Sequence, residues 1–192
     1  MANHFYAMLS RMKNIYRWGL MRNTRQENLS EHSLEVALIA HALAIISNRR
    51  FGGRLDANFV ATAAMLHDTS EIITGDMPTP VKYCNPEIKA AYKQVEAVAQ
   101  KRLINMLPED MRSDFALLYN PDPNVVRLIK AADKLSALIK CIEEKNSGNR
   151  EFLSAEKSTR DAITALACPE AEVFMSEFME SFNLTLDECT ME

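Results

Sequence analysis

The stretch Ala64-Met65-Leu66-His67-Asp68-Thr69-Ser70-Glu71 decides how the rest of the chain is understood. Val60, Ala63 and Ala64 recur at helical spacing and lead straight into His67. There the apolar pattern stops, and a histidine, two carboxylates and two hydroxyls crowd into five residues. At about 100° per residue a continuing helix would put His67 and Glu71 on one face a turn apart, with Asp68 beside them. A buried imidazole next to a carboxylate makes poor core, because each group loses water and needs a partner. A divalent metal would satisfy both.

Working outward, the text on either side predicts helices. Upstream, Val36, Ile39, Leu43 and Ile46 form an apolar stripe on a helix that starts near Asn28 or Ser30 and runs to about Asn48. His32 extends that stripe at its N-terminal end. Before it, Phe5, Met8, Leu9, Met12, Ile15 and Tyr16 keep a helical period from Phe5 to Trp18, with Gly19 as its stop. Residues 21–29 are polar and read as a loop. Asp56 caps the helix that carries His67. Downstream, Gly75, Pro78 and Pro80 enforce a loop. Asn85-Pro86 opens a helix to about Leu107, and Pro108 begins a short one that ends before Asn120-Pro121. Asp122-Pro123 opens another that reaches Lys145. Two more follow, roughly 150–166 and 169–182. No stretch alternates over strand length, so the expectation is an all-α, single-domain helical bundle spanning 1–192.

Composition narrows the function. With 192 residues and 47% hydrophobic content, the chain can bury one sizeable core. A net charge of −4 argues against a nucleic-acid polymer as partner, while a small anionic substrate needs only a local basic pocket. Cys84, Cys141, Cys168 and Cys189 are scattered, with no CxxC pair, which fits reduced thiols in a cytoplasm. Neither a signal peptide nor a run of about 18 apolar residues is seen, so no membrane span is expected.

The dipeptide His67-Asp68 alone is a weak signal. His32 sits where a leucine would pack better, and Asp133 lies mid-helix, where aspartate has poor propensity and no cap to make. Two imidazoles with carboxylates make a mixed N/O donor set suited to Mn²⁺, Co²⁺, Fe²⁺ or Zn²⁺ and unsuited to Ca²⁺. Periodicity does not bury Asp133: Lys130 and Lys140 lie on its side, and an exposed aspartate paired with lysine is the plain alternative. His41, nine positions beyond His32, falls on roughly the opposite side of its helix, and His4 has no partner nearby.

The order His32, His67-Asp68, Asp133 on successive helices resembles the HD-domain phosphohydrolase superfamily. Arg17-Trp18, Glu31-His32-Ser33, His67 to Glu71 and Gly75-Asp76-Met77-Pro78-Thr79-Pro80-Val81-Lys82 together resemble one branch of it over essentially the whole chain, the bacterial 5′-deoxynucleotidases of the YfbR type. That resemblance implies an all-helical homodimer hydrolysing 2′-deoxyribonucleoside 5′-monophosphates to deoxynucleoside and phosphate. It implies one divalent metal on His32, His67, Asp68 and Asp133, with Co²⁺ or Mn²⁺ first and Zn²⁺ or Cu²⁺ as alternatives. Arg17, Glu71 and Asp68 would carry catalysis. Glu71 would orient or deprotonate the water, or protonate the departing 5′-oxygen. Substrate contacts would come from Arg17, Trp18, His32, Asp68, Asp76, Met77, Pro78 and Thr79. Asp76 would accept from the 3′-hydroxyl, and Trp18, the only tryptophan, would wall off a 2′-hydroxyl. No base-specific pocket is marked, so several bases should be tolerated. A signal-nucleotide hydrolase, a non-catalytic metal or nucleotide sensor and a plain helical bundle are the competing readings.

Overall fold

The structure, a computed structural model, describes residues 3–82 and 84–190. The expected domain bounds therefore extend slightly past the described residues, and the opening Met1-Ala2 lies outside them. Helices dominate: α1 (Phe5–Leu9), α2 (Leu29–Arg50), α3 (Ala57–Met65), α4 (Glu71–Thr74), α5 (Thr79–Lys82), α6 (Pro86–Ile104), α7 (Arg112–Tyr119), α8 (Pro123–Asn146), α9 (Leu153–Ala165), α10 (Pro169–Glu177) and α11 (Leu186–Thr190). Short 3₁₀ turns occupy Ser10–Asn14, Glu109–Met111, Arg150–Phe152 and Met179–Asn183. Among the described residues there is no strand, only an isolated antiparallel bridge between Tyr16 and Asn28.

The long helices begin where their caps lie. Asn28 accepts from the backbone N–H of Ser30 (3.0 Å) and Glu31 (3.1 Å), and Glu31 reaches back to the Asn28 N–H, closing a capping box on α2. Asp56 caps α3, while Asn85-Pro86 and Asp122-Pro123 open α6 and α8 with proline in the first turn. Helix α2 packs on α3 and α8, and α8 in turn on α9 and α10. Val36, Leu43, Val60, Leu128, Leu135, Leu138 and Ile142 are fully enclosed where these helices meet. Each such side chain contributes roughly 1.5–3 kcal/mol relative to exposure. A smaller cluster of Phe5, Leu103 and Leu107 fastens α1 against α6 and the segment after it. By length and composition α2 could cross a membrane, but its apolar stripe lies in this core.

Three local expectations are corrected. The helix predicted over Phe5–Trp18 ends by Asn14, and Gly19 does not terminate it. Ile15 accepts from Leu29 N–H and Glu27 accepts from Arg17 N–H, so residues 15–29 form a loop tied at its neck. Trp18 adopts φ 59°, a left-handed conformation no helix tolerates. The helix carrying His67 stops at Met65, so His67 and Glu71 do not share one continuous face. There the His67 ring bonds the Ala64 carbonyl and Thr69 donates to the Leu66 carbonyl, taking acceptors that the helix would otherwise use. Finally, the proline loop contains one helical turn, Thr79–Lys82, whose last N–H groups bond Pro78 O.

Candidate metal centre and substrate cleft

Three elements converge on one point. His32 comes from the first turn of α2, His67 and Asp68 from the tight turn after α3, and Asp133 from the middle of α8. One donor atom from each of the four lies within 4.8 Å of all the others. His32 Nε2 is 3.3 Å from Asp133 Oδ1 and 3.6 Å from Asp68 Oδ2, and His67 Nε2 is 3.1 Å from Asp68 Oδ2. Both Nε2 atoms are buried, and although each lies within 3.3 Å of a carboxylate oxygen, neither has hydrogen-bond geometry. Two orphaned imidazole nitrogens facing two carboxylates fit a divalent cation better than they fit each other.

The opposite ring nitrogens are spoken for. His67 Nδ1 donates to the Ala64 carbonyl at 2.7 Å, and a carbonyl cannot donate in return. His32 Nδ1 is 3.0 Å from Ser136 Oγ, which itself donates to Glu35 Oε2 at 2.5 Å. Since the one hydroxyl proton goes to Glu35, Ser136 accepts from His32 Nδ1–H. In their neutral forms both histidines thus turn a lone pair toward the cluster, the arrangement a metal ligand needs.

Charge at the site is strongly perturbed. Burial disfavours an imidazolium at His67, but the Asp68 carboxylate outweighs it and lifts the pKa to about 9. Asp68 is held well below the usual range against its burial, chiefly by His67. Asp133 is likewise lowered against its burial, by His32 and Lys134. Lys134 sits 3.0 Å from Asp133 Oδ2, so the lysine pairing and the inward role coexist on one carboxylate. A cation held among these groups would compete with the His67 proton.

Arg17 stands over the cluster. Its Nη1 is 3.5 Å from Asp68 and its Nη2 4.0 Å from Asp133. Burial works against its charge, and Asp133, Glu27, Asp68 and Asp76 more than compensate, raising the pKa. Glu71 is buried beside them with Oε2 unpartnered. Burial, with the nearby Asp68 and Asp76 carboxylates, pushes its carboxyl up to about 9. Asp76 is also raised, mainly by its burial. Arg17, Trp18, Asp76, Met77, Pro78 and Thr79 all line one cleft of about 440 Å³, closed on its far side by Ala155, Ser158, Thr159 and Ala162 of α9. His67, Asp68 and Asp133 line a second cavity of about 290 Å³. His41 is half-buried and His4 exposed, and neither joins the site.

The sequence family described as 5′-deoxynucleotidase YfbR-like matches residues 4–182. The chain is 50% identical to a 5′-deoxynucleotidase from Yersinia pseudotuberculosis serotype I, over 99% of this chain and 98% of that one. The chain belongs to the YfbR-like 5′-deoxynucleotidase family. It is an enzyme of that class with an HD-type fold. An HD-domain phosphohydrolase from Listeria innocua superposes with a TM-score of 0.81 at 23% identity, covering 95% of this chain and 90% of that one. The cyanophage S-2L HD phosphohydrolase DatZ, solved bound to dA and one catalytic Zn²⁺ ion, superposes with a TM-score of 0.64 at 20% identity, covering 93% and 96%.

Three residues around this nucleotidase site were not found from sequence. Ser136 lies three positions beyond Asp133, and Glu35 three beyond His32, so each shares a helix face with a candidate ligand. That spacing was a usable signal. Glu27 had none: only the tied loop brings it to Arg17.

Proposed function

We propose that this enzyme hydrolyses 2′-deoxyribonucleoside 5′-monophosphates to deoxynucleoside and phosphate, rejecting ribonucleotides and tolerating several bases. The observation that carries this is the pair of buried, unpartnered imidazole nitrogens facing Asp68 and Asp133 beneath Arg17, in a chain of this family. His32, His67, Asp68 and Asp133 would hold one divalent metal, Co²⁺ or Mn²⁺ in first place. When bound, it supplies Lewis-acid polarisation of a phosphoryl oxygen and activation of water.

The protein's own groups do the rest. A phosphate dianion repels an incoming nucleophile, so positive charge must meet it first. With Nε engaged by Glu27, Arg17 has two terminal nitrogens, now facing Asp68 and Asp133, that would turn to phosphate oxygens once those carboxylates serve as metal ligands. Water adds to phosphorus, the P–O5′ bond breaks, and the 5′-oxygen leaves with a proton. Glu71 handles that proton traffic, either taking it from the water or giving it to the 5′-oxygen. Asp76 accepts from the 3′-hydroxyl. Trp18 occupies the side where a 2′-hydroxyl would project, and Met77, Pro78 and Thr79 form the loop over the sugar and phosphate. A hydroxyl forced against an indole would lose water without gaining a partner. The α9 wall offers small side chains, which suits bases of different size.

We further read the chain as one domain over 1–192, acting as a homodimer in the cytoplasm. Leu34, Leu38 and Ile45 are 56, 65 and 41% exposed along one face of α2, a surface suited to a second copy. The four cysteines are free. The deciding assay is phosphate release from deoxyadenosine and adenosine monophosphates side by side in Mn²⁺ or Co²⁺. Fast release from the deoxy form and much slower release from the ribo form is expected. No release from either would overturn the reading.

A further inference from the structure

We propose that Glu27 is a positioning residue that sets Arg17 and Trp18 in register with each other, so that the phosphate clamp and the sugar wall are held by one carboxylate. This rests on the nucleotidase reading above. A single oxygen, Glu27 Oε2, accepts from Arg17 Nε at 3.2 Å and from Trp18 Nε1 at 2.8 Å. The backbone repeats the tie, with Arg17 N–H donating to Glu27 O at 3.0 Å next to the Tyr16–Asn28 bridge. Glu27 does not line the cleft, so it acts through the two residues that do.

Each contact has a directional consequence. A guanidinium is a rigid plane, so anchoring Nε on one side turns Nη1 and Nη2 to the other, toward Asp68 and Asp133. The indole is held at its N–H by Glu27 and on its ring by Phe152, 5.3 Å away at a 56° tilt. Trp18 also carries the left-handed backbone, φ 59°, which a bulky residue adopts only when its surroundings impose it. Glu27 shares the charge balance of Arg17 with Asp133, Asp68 and Asp76, so that balance alone does not single it out. The indole contact does. Glu27 Oε1 lies 3.8 Å from His32 Nδ1, beyond hydrogen-bond reach, so the tie meets the metal cluster mainly through Arg17, whose terminal nitrogens face Asp68 and Asp133.

The test uses Glu27→Ala, Glu27→Gln and Glu27→Asp in the full chain. Because Trp18 is the only tryptophan, its emission reports this tie directly. Glu27→Ala should shift the emission to the red and increase its quenching by acrylamide. It should raise KM for deoxyadenosine monophosphate and lower the deoxy-to-ribo ratio of kcat/KM by about tenfold, the scale of one charge-assisted hydrogen bond. Affinity for Co²⁺ alone should change by less than this ratio, since Glu27 is not one of the four donors. Glu27→Gln keeps an accepting oxygen and should recover most of the emission and part of the ratio. If Glu27→Ala does not fold, Glu27→Asp, which keeps the charge and shortens the arm, must show the same two changes. An unaltered emission and ratio, or an equal loss of kcat on both substrates, would overturn the proposal. Normal turnover with an unaltered ratio removes only the role of Glu27, whereas no turnover by the unsubstituted enzyme removes the nucleotidase reading itself.

Discussion

Ser136 Oγ lies 3.0 Å from His32 Nδ1, joining the middle of α8 to the start of α2 behind the metal centre. Because the Ser136 hydroxyl donates its hydrogen bond to Glu35, the contact fixes the imidazole with its lone pair on Nε2. Ser136→Ala removes that constraint without touching a ligand. We expect Co²⁺ affinity to fall by about tenfold or more, measured by chelator competition, with little change in helix content. Affinity equal to that of the unsubstituted protein would mean that packing alone orients His32.

Trp18 makes a sharper prediction about selectivity than about rate. Trp18→Ala should leave metal affinity intact and bring the kcat/KM values for deoxyadenosine and adenosine monophosphates together, chiefly by improving the ribo form. An unchanged ratio would move the wall elsewhere in the cleft.

Metal should stabilise the fold, since the four donors come from segments far apart in sequence. At about a thousandfold excess over Kd, linkage gives about 4 kcal/mol, or roughly 10 °C in Tm for a chain of this size. Differential scanning fluorimetry with Mn²⁺ and then chelator should show the rise and its reversal. In Asp68→Ala the shift should be absent.

Away from the site, Glu170 contributes to the acid limb of stability, as does Glu144, whose pKa is also lowered to about 2. Burial alone would raise the Glu170 carboxyl, but Arg127 at 2.7 and 2.9 Å and Ser47 at 2.9 Å hold the pKa at about 2. The folded value thus lies below the ordinary 4.5. Its contribution is full above about pH 5 and is lost as pH falls toward 2. A shift of this size corresponds to about 3 kcal/mol at neutral pH as an upper figure. Urea unfolding from pH 7 to pH 3 should show a shallower acid decline in Glu170→Gln, from a lower starting stability.

What the sequence disclosed depended on how local the signal was. The caps Asn28, Asp56, Asn85 and Asp122 and the stripe Val36, Ile39, Leu43 and Ile46 act within a few residues, and each sits where expected. The break after Met65 was hidden because side-chain bonds from His67 and Thr69, not a glycine or proline, end that helix. Arg17 and Trp18 continue a helical pattern in the text, yet the bridge to Asn28 lifts them into a loop. The surroundings of Asp133 were obscured by Lys130 and Lys140, which lie on its side of the helix. Lys140 is buried against Glu144 and the Arg25 carbonyl, while Lys134 pairs with Asp133 itself.

The most direct test of the account follows bound metal and turnover together. Chelator-stripped protein is titrated with Co²⁺, bound metal is counted, and phosphate release from deoxyadenosine monophosphate is measured at each point. We expect the rate to rise linearly and break at about one equivalent per chain, the occupancy of a four-ligand site, with neither binding nor turnover in Asp68→Ala. Full turnover by the stripped protein, or tight binding that survives Asp68→Ala together with Asp133→Ala, would contradict a catalytic metal held by His32, His67, Asp68 and Asp133.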